Sequence, residues 1–418
     1  MSKTVPDWLD KDFFTKVIRS YTNDEAAILV SFSIRSGSNA GENFASDLFR
    51  VTLNYSKTPR TSTAGGKNLF SRNIETISVI VKSLPVNEDV DIDNHRMFQN
   101  EMRMYGESLV DIDRIVRMAY GELKLFPSLI YQTTEPTAVI VLEDLSSYGF
   151  ATVCAPDENL ETTKMIFYRL AIFHAASFYL ADNGADYTSF NYSVYHMPES
   201  IQESFFKHNL RIFKSLMLNN AWPEMNESKY VKRVDEMIEK CTERGKRVFS
   251  NSTSGFNCLN HGDFFMRNML FRRAAVDGRI CDVQFLDFQL SVYASPAVDI
   301  FMALYGSMTL ENRLRYRNEM ILFYYETFVD SLRRFGYVKE PPTLLDLHVE
   351  LTRCGALGAQ LCLCYLPYLL SEFDKVNSDV MFVVNGDTES SKKNLYLNEN
   401  YVKVIKEEFK EFFYNGFI

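Results

Sequence analysis

The sequence predicts an α+β fold in two parts, a small β-rich N-lobe and a larger, mostly α-helical C-lobe. Three observations point there. Up to residue 142, apolar residues recur with period two, as Ile77, Val79 and Val81 do in the stretch ending at Lys82. Beyond residue 160, long stretches carry apolar residues at helical spacing instead. The change of style follows the buried run Ala138-Val-Ile-Val-Leu142 and the polar pair Glu143-Asp144. The boundaries read as an N-lobe over 1–142, a hinge over 143–149 and a C-lobe over 150–418.

Within the N-lobe, residues 8–21 predict a short amphipathic helix. Strands are predicted over 27–34, 45–54 and 76–82, the second with Leu48, Val51 and Leu53 among polar neighbours. Between the last two lies Ser56–Asn73, with four basic and no acidic side chains. A mobile hairpin loop is the favoured reading there over a dedicated phosphate or partner site. A helix over 92–106 and strands over 128–132 and 138–142 complete this part. The C-lobe predicts helices over 162–180, 198–218 and 229–248, then a strand-rich segment over 256–287. Helical patterns follow over 297–335, 344–371 and 399–413.

The chain has 418 residues, 46% hydrophobic, 14% aromatic and 24% charged, which describes an ordinary well-cored globular protein. A net charge of −9 argues against a role on nucleic acid or an anionic membrane through bulk electrostatics. Seven scattered cysteines make no disulfide framework. Cys362 and Cys364 form a lone C-x-C on an apolar stretch, which reads as buried thiols, not a zinc site. The N-terminus carries no apolar leader segment. The run from Gly355 to Leu370, broken by Gln360 and Pro367, falls short of the roughly 20 residues that span a bilayer. A reducing cytoplasm is the expected compartment.

The chemistry is concentrated in His261-Gly-Asp-Phe-Phe-Met-Arg-Asn268 and in Phe285-Leu-Asp287-Phe-Gln. An aspartate, an asparagine five residues later and a second aspartate closing an apolar strand suit phosphoryl transfer from ATP. Asp263 orients the attacking hydroxyl and accepts its proton, while Asn268 and Asp287 supply hard oxygens for Mg2+. The spacing resembles the catalytic loop of protein kinases, with His-Gly-Asp in place of His-Arg-Asp. The N-lobe holds matching parts in the expected order. Gly41-Glu-Asn43-Phe-Ala-Ser46 sits between two strands, where small and polar residues let backbone N–H groups approach phosphates. An ordinary hairpin turn serves equally on local grounds. Lys82 ends an alternating strand and can reach phosphate oxygens, and Glu101, 19 residues on, can orient Lys82 from a helix. The main chain from Glu143 to Leu145 could pair with an adenine edge. His174 reads as a satisfied core histidine, and His261 as a structural hydrogen-bonding residue. Asp299 combines a place at a helix start with the capacity to accept loop N–H bonds.

Together these motifs resemble the ecdysteroid kinase-like family, which is related to choline kinases and aminoglycoside phosphotransferases. The resemblance rests on Leu259-Asn-His-Gly-Asp, Asn268-Met-Leu-Phe, Phe285-Leu-Asp-Phe-Gln-Leu and Ser295-Pro-Ala-Val-Asp, with Leu366-Pro-Tyr-Leu-Leu further on. It implies a bilobal, protein-kinase-like fold and ATP-dependent phosphorylation of a small-molecule hydroxyl. The acceptor implied is steroid-like or a xenobiotic. By the resemblance Asp263 is the base, Asn268 and Asp287 bind magnesium, Lys82 holds phosphates and Glu101 positions Lys82. Many members carry Trp or Cys-Trp after His-Gly-Asp, where this chain has Phe264-Phe265-Met266-Arg267; the difference bears on the acceptor and not on the catalytic atoms. Asp299 follows Asp287 by only twelve residues, too few for a peptide-binding activation segment. The alternative from another class is a catalytically silent member that binds nucleotide or a hydrophobic ligand.

Overall fold

In the computed structural model, which describes residues 5–36, 46–57, 73–85, 92–153, 160–370 and 389–418, the chain divides into two compact units. One comprises residues 1–107 and 126–150, the other 108–125 and 151–418.

The first unit is built on a five-stranded antiparallel sheet in the order β1-β2-β3-β5-β4. Its strands are β1 (Ile28–Ser36), β2 (Asp47–Ser56), β3 (Ile74–Ser83), β4 (Leu129–Thr133) and β5 (Val139–Glu143). Helix α1 (Lys11–Thr22) covers one face, setting Phe13, Phe14, Val17 and Ile18 against Phe49, Val51, Val79 and Val81. Its start falls at Lys11 and not at residue 8, because Asp10 caps it by accepting the Phe13 N–H at 2.8 Å. Since strand side chains alternate, Lys82 lies one position out of phase with Val79 and Val81 and faces away from α1. Helix α2 (Ile92–Arg103) continues through a wide turn, Met104–Ser108, into α3 (Leu109–Tyr120). The sequence reading ended this helix at residue 106 and did not anticipate α3, which groups with the larger unit.

Strand β6 (Phe150–Ala151) marks the crossing to the second unit, where the long helix α4 (Leu160–Asp182) is buried around most of its girth. The short helix α5 (Glu199–Ile201) widens through Gln202–Lys207 into α6 (His208–Leu218), and α7 (Ser228–Val248) follows. Strand β7 (Cys258–Asn260) precedes the hairpin β8 (Met269–Arg273) and β9 (Ile280–Phe285), and β10 (Val292–Ala294) returns antiparallel to β7. The predicted helix over 297–335 is two: α8 (Ala297–Gly306) and α9 (Leu310–Arg334), divided where the Thr309 hydroxyl accepts the Asn312 N–H at 3.2 Å. The pattern over 344–371 likewise breaks into α10 (Leu344–Arg353), α11 (Gly355–Gln360), a wide turn over Leu361–Tyr365 and α12 (Leu366–Leu369). Helices Glu389–Tyr396 and Glu399–Tyr414 close the chain. The fold is thus α+β, with a helix inserted in an antiparallel sheet and a second, mostly helical unit. Among the described residues no helix is long and apolar enough to cross a membrane, and six cysteines are free thiols, Cys362 and Cys364 buried among them.

The wide turn has an identifiable cause. Pro367 lacks the N–H that would bond the Leu363 carbonyl in a regular helix. The buried Tyr396 hydroxyl donates to that carbonyl at 2.8 Å, and lies 3.2 Å from the Asn209 carbonyl as well. Tyr396→Phe is therefore expected to cost about 1–3 kcal/mol, because buried acceptors lose their donor; chemical denaturation of the two proteins measures it.

Candidate functional site

In the first unit the Lys82 ammonium meets the Glu101 carboxylate at 2.6 Å, with side-chain exposures of 10% and 1%. Strand β3 delivers the lysine and α2 the glutamate, so the pair expected from their spacing forms. A buried ammonium needs such a partner, since an isolated charge removed from water is costly. Ser46 is buried just ahead of β2. Gly41 and Asn43, and most of the Ser56–Asn73 segment, lie outside the described residues.

The segment after β5 ends a strand and enters a tight turn. The Glu143 N–H donates to the Ser128 carbonyl at 3.0 Å, and the Leu145 carbonyl accepts the Gly149 N–H. These two main-chain groups complete the local structure of a strand end and a tight turn. The polar anchor here is Asp144. Its buried carboxylate accepts from Ser78 Oγ at 2.6 Å and from Ser146 N at 3.1 Å and Oγ at 2.7 Å, and it pairs with Arg50 at 3.0 Å. Burial pushes its pKa up, but the donors from Ser78 and Ser146 and the charge of Arg50 outweigh this and hold it below the usual carboxylate range.

In the second unit the His-Gly-Asp loop follows β7 and hangs on Asp299 in the first turn of α8. Asp299 is fully buried, and its oxygens accept the His261 N–H at 2.6 Å and the Gly262 N–H at 3.0 Å. His174 Nε2 lies 3.2 Å from the same carboxylate, and its Nδ1 lies 2.7 Å from the Tyr324 hydroxyl. A carboxylate only accepts, so Nε2 carries the hydrogen and the phenol donates to Nδ1. His174 is thus the satisfied core histidine that the sequence predicts, and it stands directly behind the loop. Gly262 has φ +79°, and a Cβ there would fall 2.0 Å from the Leu290 carbonyl oxygen, so only glycine fits.

His261 braces the loop from within. Its Nδ1 accepts the Asp263 N–H at 3.4 Å, which leaves Nε2 as the donor to the Leu286 carbonyl at 2.6 Å. The Leu286 N–H in turn donates to the Asn268 carbonyl at 2.8 Å. Asn268 directs its Nδ2 at Asp263, 2.8 Å from Oδ2 and 2.9 Å from the main-chain oxygen. That orientation reserves the Asn268 Oδ1 for a different partner. Asp287, next to Leu286, adopts φ 65° and ψ 64°, a left-handed conformation uncommon outside glycine and asparagine. Asn268 and Asp287 are therefore tied through one intervening residue. A side-chain amide oxygen and a carboxylate so held fit Mg2+, which takes one or two protein oxygens and completes its shell with phosphate and water. Among the described residues no group of three or more His, Cys, Asp or Glu side chains could hold a metal.

Two neighbours were not foreseen as site residues. Arg267 Nη2 reaches both Asp263 oxygens, at 2.8 and 3.0 Å, while the guanidinium lies 5.0 Å from the Phe265 ring centroid. Tyr365 stacks on Phe265, with centroids 5.9 Å apart and planes 22° from parallel. The spacing of four between Asp263 and Arg267 was visible, and Pro367 within an apolar helix was the only signal for Tyr365.

A model of the ecdysteroid kinase-like family matches residues 40–337, well over half of the chain. No curated protein matches it. Solved structures similar to it include the microcompartment-associated aminopropanol kinase, at 10% identity over 98% of this chain and 99% of that one, with a TM-score of 0.43. Another is the GDP complex of wild-type aminoglycoside 2'-phosphotransferase-IIIa, at 12% identity over 94% and 99%, with a TM-score of 0.36.

Replacing Asp299 by alanine leaves two buried N–H groups of the loop without their acceptor. Hydrogen–deuterium exchange should then quicken at His261 and Gly262, with β3 and α2 unaffected; unchanged exchange at both amides would remove Asp299 from its anchoring role.

Proposed function

The chain belongs to the ecdysteroid kinase-like family, and from that premise we propose that it transfers the γ-phosphoryl group of ATP to a hydroxyl of a small lipophilic alcohol, an ecdysteroid or a xenobiotic. The observation that carries this reading is the Asp263 carboxylate, oriented by Asn268 on a loop whose main chain is anchored by a buried aspartate.

In the proposed reaction the acceptor oxygen bonds to the γ-phosphorus while the bond from that phosphorus to the β–γ bridging oxygen breaks. The hydroxyl proton passes to the Asp263 carboxylate, and ADP departs with the bridging oxygen. Lys82, steadied by Glu101, would hold phosphate oxygens with its ammonium. Asn268 Oδ1 and Asp287 would hold Mg2+, whose charge would offset that developing on the phosphates. The protein's contribution is then positioning and fixed charge, and the anchored loop supplies both. The six free thiols suit a reducing cytoplasm, which is the compartment we propose.

Incubation with Mg-ATP and a pool of ecdysteroids and other lipophilic alcohols, followed by mass spectrometry, tests the reading. A phosphorylated product is expected from the native protein, with Asp263→Asn slower by about 10²–10⁴-fold, the usual worth of a positioned base. Full activity in that variant would end the assignment of Asp263. For Asp287→Ala, calorimetry should show weakened binding of Mg-ATP and unchanged binding of ATP in chelator; equal affinity for Mg-ATP would exclude Asp287 as a ligand.

A further inference from the structure

We propose that Tyr365 and Arg267 are the acceptor-positioning residues of this site, and that together they select an uncharged, ring-bearing alcohol over a cationic one. The inference rests on the kinase reading for the identity of the base and goes beyond it in naming what lies beside that base.

Tyr365 owes its position to the wide turn over Leu361–Tyr365. Without an N–H at Pro367 the helix takes an extra residue into the turn, and such turns recur at functional sites. Cys364 and Leu366 on either side are buried, whereas Tyr365 is only half-buried. Its ring is fixed by the stack on Phe265 and by an edge contact with Phe205 at 4.8 Å and 75°. Among the described residues no hydrogen-bond partner takes up its hydroxyl. Burial, and then the negative charge of Asp263, hold the phenol proton on, with Arg267 acting in the opposite sense. An O–H donor on a rigid aromatic face therefore stands within electrostatic reach of the base. That is the place where an acceptor oxygen, once seated on the aromatic face, finds a donor.

Arg267 sets the charge of the same neighbourhood. Its guanidinium grips Asp263 and lies over Phe265, so the nearest full charge to the base is positive. A cationic acceptor needs carboxylates or an open aromatic cage. Among the described residues the buried carboxylates of this unit are already engaged, Glu350 by Arg353 and the Ser254 hydroxyl, each at 2.8 Å. Asp299 holds the loop amides, and Glu408 takes Arg313 at 2.7 Å and the Tyr305 hydroxyl at 2.8 Å. A neutral alcohol meets no such opposition, and its rings suit the half-buried Tyr365 ring, which Phe205 and Phe265 hold in place.

The test uses the full chain with a neutral polyhydroxylated steroid, choline and an aminoglycoside as probes. Acceptor binding is measured by calorimetry without nucleotide, and steady-state constants are measured with Mg-ATP. Tyr365→Phe should weaken steroid binding and raise the acceptor KM about tenfold, as loss of one hydrogen bond does, while kcat and the KM for ATP hold. Arg267→Glu should reduce steroid preference over choline about tenfold or more, and Arg267→Lys should restore it. Melting temperatures near that of the native protein certify each variant as folded. If the steroid binds through Tyr365 and Arg267 but no product forms, the kinase reading fails and this inference stands. Turnover with acceptor constants unmoved in both Tyr365→Phe and Arg267→Glu overturns the inference and leaves the kinase reading intact. Preference of the native protein for choline or the aminoglycoside, or binding of none of the three, overturns it as well.

Discussion

The buried carboxylate of Asp299 is the constraint on which the candidate site depends. Fully enclosed, it is satisfied only by donors that belong to the loop and to the helix behind it: the His261 and Gly262 amides and His174. The link is reciprocal, since Asn260 accepts the Asp299 N–H at 3.3 Å and donates to the Cys258 and Ala294 carbonyls. Moving the loop would leave a charge unpaired in a dry interior, where the penalty is several kcal/mol. The loop is therefore fixed from beneath by electrostatics as well as by the burial of Phe264, Phe265 and Met266. The left-handed turn at Gly262 follows from the same demand, because two successive amides must point to one carboxylate.

The other buried carboxylates answer different problems with the same physics. Glu101 gives Lys82 a counter-charge, which lets an ammonium end a strand inside the protein. Asp144 gathers hydroxyls, an amide and Arg50 where the chain leaves β5, and so organises a turn. Glu408 joins the final helix to Arg313 on α9 and Tyr305 on α8. In each case the acid is held by partners distant in sequence or by the main chain, so each one specifies a geometry as well as a contact.

Much of this was legible in the sequence wherever one element sufficed to generate it. The alternation of Ile77, Val79 and Val81 places Lys82 on the opposite face of β3, and the structure pairs it with Glu101 as the spacing predicts. Asp299 was readable as an acceptor for the loop because its position near a helix start is a local property. The illegible parts depend on distant partners. The break between α8 and α9 comes from a threonine cap inside a continuous apolar pattern. Helix α3 has Leu109, Ile112, Ile115 and Val116 at helical spacing, but Gly106 alone, inside the wide turn, separates it from α2. The exposure of Tyr365 required Pro367 to free a carbonyl and Tyr396, 33 residues away, to take it. The grip of Arg267 on Asp263 spans four residues, yet it occurs across a short irregular turn, where helical spacing rules do not apply.

This arrangement separates chemistry from recognition within eight residues. Asp263 and Asn268 are placed by main-chain bonds: the amides of residues 261 and 262 to Asp299, the Asp263 amide to His261, and the Asn268 carbonyl to Leu286. Leu286 is clamped on both sides, by His261 at its carbonyl and Asn268 at its N–H, so Asp287 is placed by backbone too. None of these bonds uses the side chains of Phe264, Phe265, Met266 or Arg267. Of those four side chains only Arg267 bonds the Asp263 carboxylate, while Phe264, Phe265 and Met266 are buried. Beside this rigid main chain stand one half-buried ring, Tyr365 on the Phe265 stack, and one exposed cation, Arg267. On the proposed kinase reading, acceptor preference is expected to reside with Arg267 and the Tyr365 turn, and any capacity for phosphoryl transfer in the frame beneath them.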